Sequence, residues 1–312
     1  MRIAVTGSHG TIGGPLVAEL RGRGHDVWGI ELQHKDDAQT VRADIADYRQ
    51  IERALNDIQP EMVYHLAAEF GRMNGEDYYE QVWRTNVIGT RNILEVQRLL
   101  GFDHIFASSS EVYGEAGVDY IHEDLLRLNA QPQLTNDYAI SKRVNEMQIK
   151  NFADRYDTRT MTLRFFNAYG PGEKYHAYRS VVCLFAYRLL TGQPITVYTG
   201  YKRVFMYVCD FIPTLANAAD KFTPNLTVNI GGDEYVDVSD VAEQLLELTG
   251  ASSDLITYLP FDAHNVTAKR PNIDTARNML GHDPSTRLAV GLPETVRWLR
   301  AHYNIGVNRG DH

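Results

Sequence analysis

The stretch RIAVTGSHGTIGG, residues 2–14, constrains the fold more than any other part of the chain. A β-branched apolar run stops at Gly7, glycines recur at 10 and 13, and a helix pattern, TIGGPLVAELRGRG, follows and closes at Gly24. Strand, glycine turn and helix in that order place backbone N–H groups and a helix N-terminus where a pyrophosphate can lie. HDVWGIE is the next strand, and Glu31 at its end stands where a carboxylate takes ribose hydroxyls. Its charge would repel a 2′-phosphate, so the expected cofactor is NAD rather than NADP. The expected contacts are the main chain at Gly7, Gly10, Thr11, Ile12 and Gly13 and the Glu31 carboxylate. Asp44 and Ile45, after a short third strand in TVRADI, are placed to touch adenine.

The alternation continues. DYRQIERALNDI reads as a helix with Asp47 as its N-cap, EMVYHLAA as a strand buried on both faces, EDYYEQVWRTNVIGTRNILEVQRLLG as one long helix, HIFASSS as a strand, NDYAISKRVNEMQIKNFADRY as a helix and RTMTLRFF as a strand. Regular β-α alternation implies a parallel sheet covered by helices on both faces. The expected fold is therefore α/β, a Rossmann-like doubly wound parallel sheet. After NAYGPGEKY the rhythm changes to short strands and irregular spacing, which predicts a smaller α/β substrate-binding lobe. The expected division is residues 1–170 for the nucleotide domain, with segments from about 210 to 250 returning to it. Residues 171–209 and 251–312 would form the second lobe.

Charge and cysteine content narrow the function. The 312 residues carry a formal charge of −9, which argues against a general nucleic-acid or anionic-membrane binder. Two cysteines, Cys183 and Cys209, imply no disulfide framework and fit a reducing cytoplasm. No Cys/His spacing suggests a metal site. The first strand begins at Arg2, leaving no room for a signal peptide, and no apolar run is long enough to span a bilayer.

The reaction end is marked by two short stretches. Tyr138 and Lys142 are four apart on a predicted helix and so share a face. A phenol of pKa about 10 is only about 0.1% ionised at neutral pH, and a shift of about three units requires about 4 kcal/mol. A nearby ammonium supplies energy of that order at an effective dielectric of about 20. The pair therefore suits a phenolate base for an alcohol hydroxyl. The second stretch, SSSEVYG at residues 108–114, ends an apolar strand with three hydroxyls and a carboxylate.

TGSHGTIG, HLAAE, TNVIGTRNILE, SSSEVYG, YAISK and RFFNAYGPG, in this order and spacing, resemble the extended short-chain dehydrogenase/reductases that modify nucleotide sugars. The resemblance runs over nearly the whole chain, through RVFMYVCDF to the tail KRPNIDTARNMLGHDP. It implies a tightly held NAD that takes a hydride from C4 of the sugar. Ser109 matches the residue that bonds the reacting hydroxyl, Tyr138 the base, and Lys142 its partner, which also reaches the nicotinamide ribose. Leu66, Ala67 and Ala68 match the turn packed against the cofactor, and Asn86 a buried amide that supports it. The resemblance also implies a homodimer, built here through residues 76–100 and 136–156.

A glutamate at the position of Glu111 occurs in the 4,6-dehydratases and uronic-acid decarboxylases of this family, where epimerases usually lack it. Oxidation at C4 makes the C5 hydrogen acidic, and a positioned glutamate can remove it. Ser110 stands where deoxythymidine-diphosphate-glucose dehydratases carry an acid. Asn167 and Arg203 match groups that meet the sugar diphosphate, with Arg179 and Tyr198 as neighbours for charge and base stacking. Lys269 and Arg270 resemble the decarboxylases' basic element with its order altered, which keeps a carboxylate substrate open. Glu69 and Arg72, in a stretch that departs from common family patterns, are expected to reach toward the sugar. The sequence thus leans to a 4,6-dehydratase of a nucleotide-diphosphate sugar. Uronic-acid decarboxylation and 4-epimerisation stand beside it, and a non-catalytic NAD-binding sensor is the alternative of a different class.

Overall fold

A computed structural model describes residues 1–34, 36–118, 120–126, 132–260, 266 and 268–306. Strand β1 (Arg2–Thr6) leads through the glycine turn into α1 (Gly13–Gly22), followed by β2 (Asp26–Glu31), β3 (Thr40–Arg42), α2 (Tyr48–Ile58) and β4 (Met62–His65). Next come α3 (Arg72–Asp77), α4 (Tyr79–Val82), α5 (Gly89–Leu100), β5 (Asp103–Ser109), α6 (Asp137–Tyr156) and β6 (Thr160–Phe165). The remainder is β7 (Ala168–Tyr169), α7 (Val181–Leu190), β8 (Ile195–Tyr198), β9 (Lys202–Val204), β10 (Met206–Tyr207), α8 (Val208–Asp220), β11 (Thr227–Ile230), β12 (Tyr235–Asp237), α9 (Val238–Thr249), β13 (Ile256–Leu259), β14 (Ala268–Lys269) and α10 (Leu288–Tyr303).

Seven strands form one parallel sheet in the order β11-β6-β5-β4-β1-β2-β3. The strand order reverses between β1 and β4, and a crevice opens at the carboxyl ends of the strands there. Both faces are covered, so the central strands are largely buried; Met62–His65 is buried at every residue. Helix α2 shows how the sequence produces this layer. Asp47 caps it by accepting from the Arg49 and Gln50 amides at 3.0 and 3.2 Å. Its Ile51, Ala54, Leu55 and Ile58, at helical spacing, face the sheet with Ile93 and Val96 of α5. On the other face, Leu16, Val17 and Leu20 of α1 pack with Phe211 and Leu215 of α8.

The second lobe has its own core, built from α7, α9 and α10: Phe185 and Leu189, Val241 and Leu245, Leu292 and Val296. Two departures from the sequence reading follow. Residues 208–230 return to the large sheet through α8 and β11, whereas α9 packs in the second lobe because its buried stripe faces α7 and α10. The long helix expected from residue 76 to 101 is broken. Tyr78 leaves helical geometry at φ −135°, ψ 51°, and Trp83–Ile88 forms a π-helical turn before α5. The wide turn places Asn86 in the interior, a role such bulges often have at functional sites.

Candidate active site

A cleft of about 870 Å³ runs along the carboxyl ends of β1 to β6. At one end lies the glycine turn. Gly7 has φ +69°, and a Cβ there would stand 2.9 Å from the Ala67 amide nitrogen; a Cβ at Gly13 would overlap the Gly7 carbonyl. Gly7 thus makes the tight turn and Gly13 lets α1 pack against it, while Gly10 between them lines the cleft where a pyrophosphate can approach. Glu31 lines the same end, its carboxylate accepting the His9 and Leu32 amides at 3.1 and 2.9 Å. Asp44, paired with Arg84 at 3.2 Å, and Ile45 complete the wall. A bare cradle beside a carboxylate that disfavours a 2′-phosphate fits NAD.

At the other end stand the reacting groups. Strand β5 ends in Ser108 and Ser109 and continues into a 3₁₀ turn, Ser110–Tyr113, and all three serines are buried. The Ser109 hydroxyl caps that turn by accepting the Glu111 amide at 3.2 Å. Helix α6 starts beside it, capped by Asn136 through the Ala139 amide at 2.8 Å. Tyr138 and Lys142 lie one turn apart on the cleft side.

One expectation is corrected here. In the protein alone the Tyr138 phenol is pushed up to about 12, by burial first and then by the Glu111 charge; only the Ser109 hydroxyl acts in the other direction. Lys142 does not offset this. Its amine donates to the Ala107 carbonyl at 2.8 Å and lies over the Phe106 ring. Burial brings it down to about 8, against the pull of Glu146. Apolar surroundings disfavour both charged forms, so the lysine by itself does not make the phenolate.

Glu111 is the surprise of the cleft. Its carboxylate reaches the wall, 27% exposed, and is ion-paired with Lys269, which is 1% exposed and lies behind it. Burial would raise this carboxyl, but Lys269, Arg203 and Arg72 together hold it below the usual range. Lys269 and Arg270 are neighbours at a strand end, and successive strand side chains point to opposite faces. Only one of them can serve Glu111. Arg270 instead lies between the rings of Tyr120 and Tyr235, outside the cleft.

The remaining expected residues divide likewise. Leu66, Ala67, Ala68, Glu69, Arg72, Ser110, Asn167 and Arg179 line the cleft; Asn86, Tyr198 and Arg203 do not. Asn86 clamps the turn after β4 from behind, bonding both the amide and the carbonyl of Glu69 at 2.9 Å. Tyr198 ends β8 with its ring set edge-on to Tyr201. Arg203 is buried against the carbonyls of Lys202 and Val266, and it acts on Glu111 through its charge. The sequence reading missed Phe70, which sits under the Arg179 guanidinium at 5.0 Å, and Glu173. The Glu173 carboxylate holds Ser180, amide at 2.9 Å and hydroxyl at 2.6 Å, at the start of α7. Only its position just before a helix cap signals it.

Comparison with known proteins gives the family and the fold. The chain is 29% identical over 317 residues to a UDP-N-acetyl-alpha-D-glucosaminuronate decarboxylase of Bacillus cytotoxicus, covering 96% of this chain and 98% of that one. It superimposes with a TM-score of 0.88 and 28% identity on the UDP-glucose 4-epimerase of Thermotoga maritima with UDP-glucose, covering 97% and 100% of the two chains. It matches MoeE5 in complex with UDP-glucuronic acid and NAD at a TM-score of 0.85 and 28% identity, again covering 97% and 100%. Residues 3–231 match the NAD dependent epimerase/dehydratase family, and to that family the chain belongs.

Proposed function

We propose that the chain oxidises C4 of a nucleotide-diphosphate hexuronate and releases its C6 carboxyl as carbon dioxide. The observation that carries this reading is the setting of Glu111: one carboxylate on the cleft wall beside Tyr138, with Lys269, Arg203 and Arg72 acting on it. Lys269, Arg203 and Arg72 hold Glu111 ionised, and Arg72 and Arg179 on the cleft wall can meet a sugar that bears its own carboxylate. The relatives whose names specify a decarboxylase and a UDP-glucuronic acid complex support the same substrate class.

The chain's own groups have definite tasks. When bound, oxidised NAD accepts a hydride from C4 and brings a positive charge to the cleft. Tyr138 takes the proton of the C4 hydroxyl, and Ser109 orients that hydroxyl. The product is a ketone β to the carboxyl. The C5–C6 bond then breaks, its electron pair passing into an enolate across C5, C4 and the ketone oxygen. Glu111, ionised, faces the departing carboxylate and favours its exit by repulsion. C5 takes up a proton, and Tyr138 returns its own when C4 is reduced.

Dehydration, to which the sequence leans, is the second reading. An ionised Glu111 also suits removal of the C5 proton, but Ser110 offers no acid for a departing hydroxyl. Incubation with a panel of sugar nucleotides in heavy water, read by mass spectrometry, separates the readings. Loss of carbon dioxide with deuterium at C5 is expected. Loss of water would replace the proposal by dehydration, and an isomer of unchanged mass by epimerisation. A panel left untouched would leave the non-catalytic sensor.

A further inference from the structure

Beneath the reacting groups lies a buried charge pair that the proposed chemistry does not use. Glu146 follows Lys142 by four residues and Tyr138 by eight, so all three share one face of α6. Its carboxylate takes both arms of the Arg164 guanidinium on β6, at 2.9 and 2.8 Å. The two residues are only 9% and 4% exposed. The same carboxylate accepts the Ser108 hydroxyl at 2.6 Å. Arg164 also donates to the Tyr113 hydroxyl at 2.6 Å, and Tyr113 donates to Asn229 at 2.7 Å. Ser108 and Tyr113 bracket Ser109 and Glu111. One ion pair therefore fixes both ends of that stretch and ties it to the helix carrying Tyr138 and Lys142.

Stability alone does not account for this arrangement, because buried ion pairs are often replaceable by apolar residues at no loss. Charge does. The groups that face Lys142 are the Ala107 carbonyl, the Phe106 ring and His65 on β4, with His104 on β5 beyond His65. Both histidines are driven neutral by burial. Glu146 is the group that favours the charged amine, and Glu111 acts on Tyr138 instead. Around Glu146 stand Arg164, Arg143 and Ser108, with Tyr113 beyond Arg164.

We propose that Glu146 is a positioning residue of this site: with Arg164 it sets Ser109 and Glu111 against Tyr138, and its fixed negative charge keeps the Lys142 amine an ammonium at neutral pH. This rests on Ser109, Tyr138 and Lys142 being the reacting set. The test is a carbon-13 NMR titration of lysine side chains. The chain has seven lysines, few enough to resolve, with Lys142 assigned by Lys142→Arg. Glu146→Gln alone strands the Arg164 charge in the interior, so the deciding variant is Glu146→Gln with Arg164→Gln. Its Lys142 midpoint is expected about one unit below the wild-type value near 8. Glu146→Asp, which keeps the charge, is expected to restore most of the difference. Ser108→Ala is expected to leave the midpoint in place and slow turnover of the NAD-loaded enzyme. An unmoved midpoint in the double variant overturns the electrostatic role, and full turnover in Ser108→Ala overturns the positioning role. A wild-type protein inert toward every sugar nucleotide would remove the functional reading, while the titration would still decide the role of Glu146.

Discussion

Glu111 makes the clearest demand at the scale of single residues. A carboxylate facing a cleft beside a tyrosine would ordinarily drift toward its neutral form as water is excluded. Lys269 prevents this from behind. Replacing Lys269 by Met is expected to raise the Glu111 carboxyl, so the acid limb of the pH–rate profile should move to higher pH by about one unit or more. A limb that stays in place would show that Glu111 does not need to be ionised. That Tyr138 and Lys142 share a helix face was legible in their four-residue spacing, whereas Ser109 and Glu111 stood out through the family resemblance. The partner of Glu111 was not legible. Lys269 lies 158 residues away, and which of two adjacent cations faces the cleft is settled by strand pleat in a β14–β9 pairing that no local pattern encodes.

At the scale of elements, α3 matters most. It follows Gly71, which lies against the Tyr178 carbonyl, and ends at Asp77, whose carboxylate accepts the Tyr178 hydroxyl at 2.7 Å. A Cβ on Gly75 would stand 3.0 Å from the Tyr138 amide nitrogen, so this helix rests directly on the start of α6. Gly75→Ala is expected to push α3 away and raise KM for sugar nucleotide several-fold, about 1 kcal/mol of lost fit, with NAD affinity unchanged by titration. Equal losses in both would mean that α3 holds the nucleotide domain together rather than shaping the sugar end. The β-α rhythm of the first half was readable because helices and strands differ in apolar period. The break at Tyr78 and the π-helical turn after it were not, because the apolar period barely changes across them while Asn86 is drawn inward to bond Glu69.

At the scale of the whole molecule, the sheet's interior sets how the protein responds to acid. His65 and His104 are fully buried and neutral; His65 bonds Thr6 and Thr90 at 2.8 and 3.1 Å, and burial brings His104 down to about 3. Their folded-state values lie below the ordinary 6.5, so the unfolded chain binds more protons as pH falls through 6.5. Between pH 6.5 and 4.5 stability should fall by about 1.4 kcal/mol per unit for each histidine, before any carboxylate contributes. Urea midpoints for the wild type and His104→Gln check this, the variant giving the flatter slope. Among the described residues no helix is long and apolar enough to cross a membrane. The two lobes meet at one cleft, and the central claim is that a sugar is oxidised there at C4 and then restored. It is tested most directly by rapidly mixing NAD-loaded protein with UDP-glucuronic acid while following the near-ultraviolet absorbance of reduced nicotinamide. A transient rise and decay that accompanies carbon dioxide release, and that Tyr138→Phe abolishes, is the expected result; carbon dioxide released with no transient, or a transient that persists in Tyr138→Phe, would contradict the account.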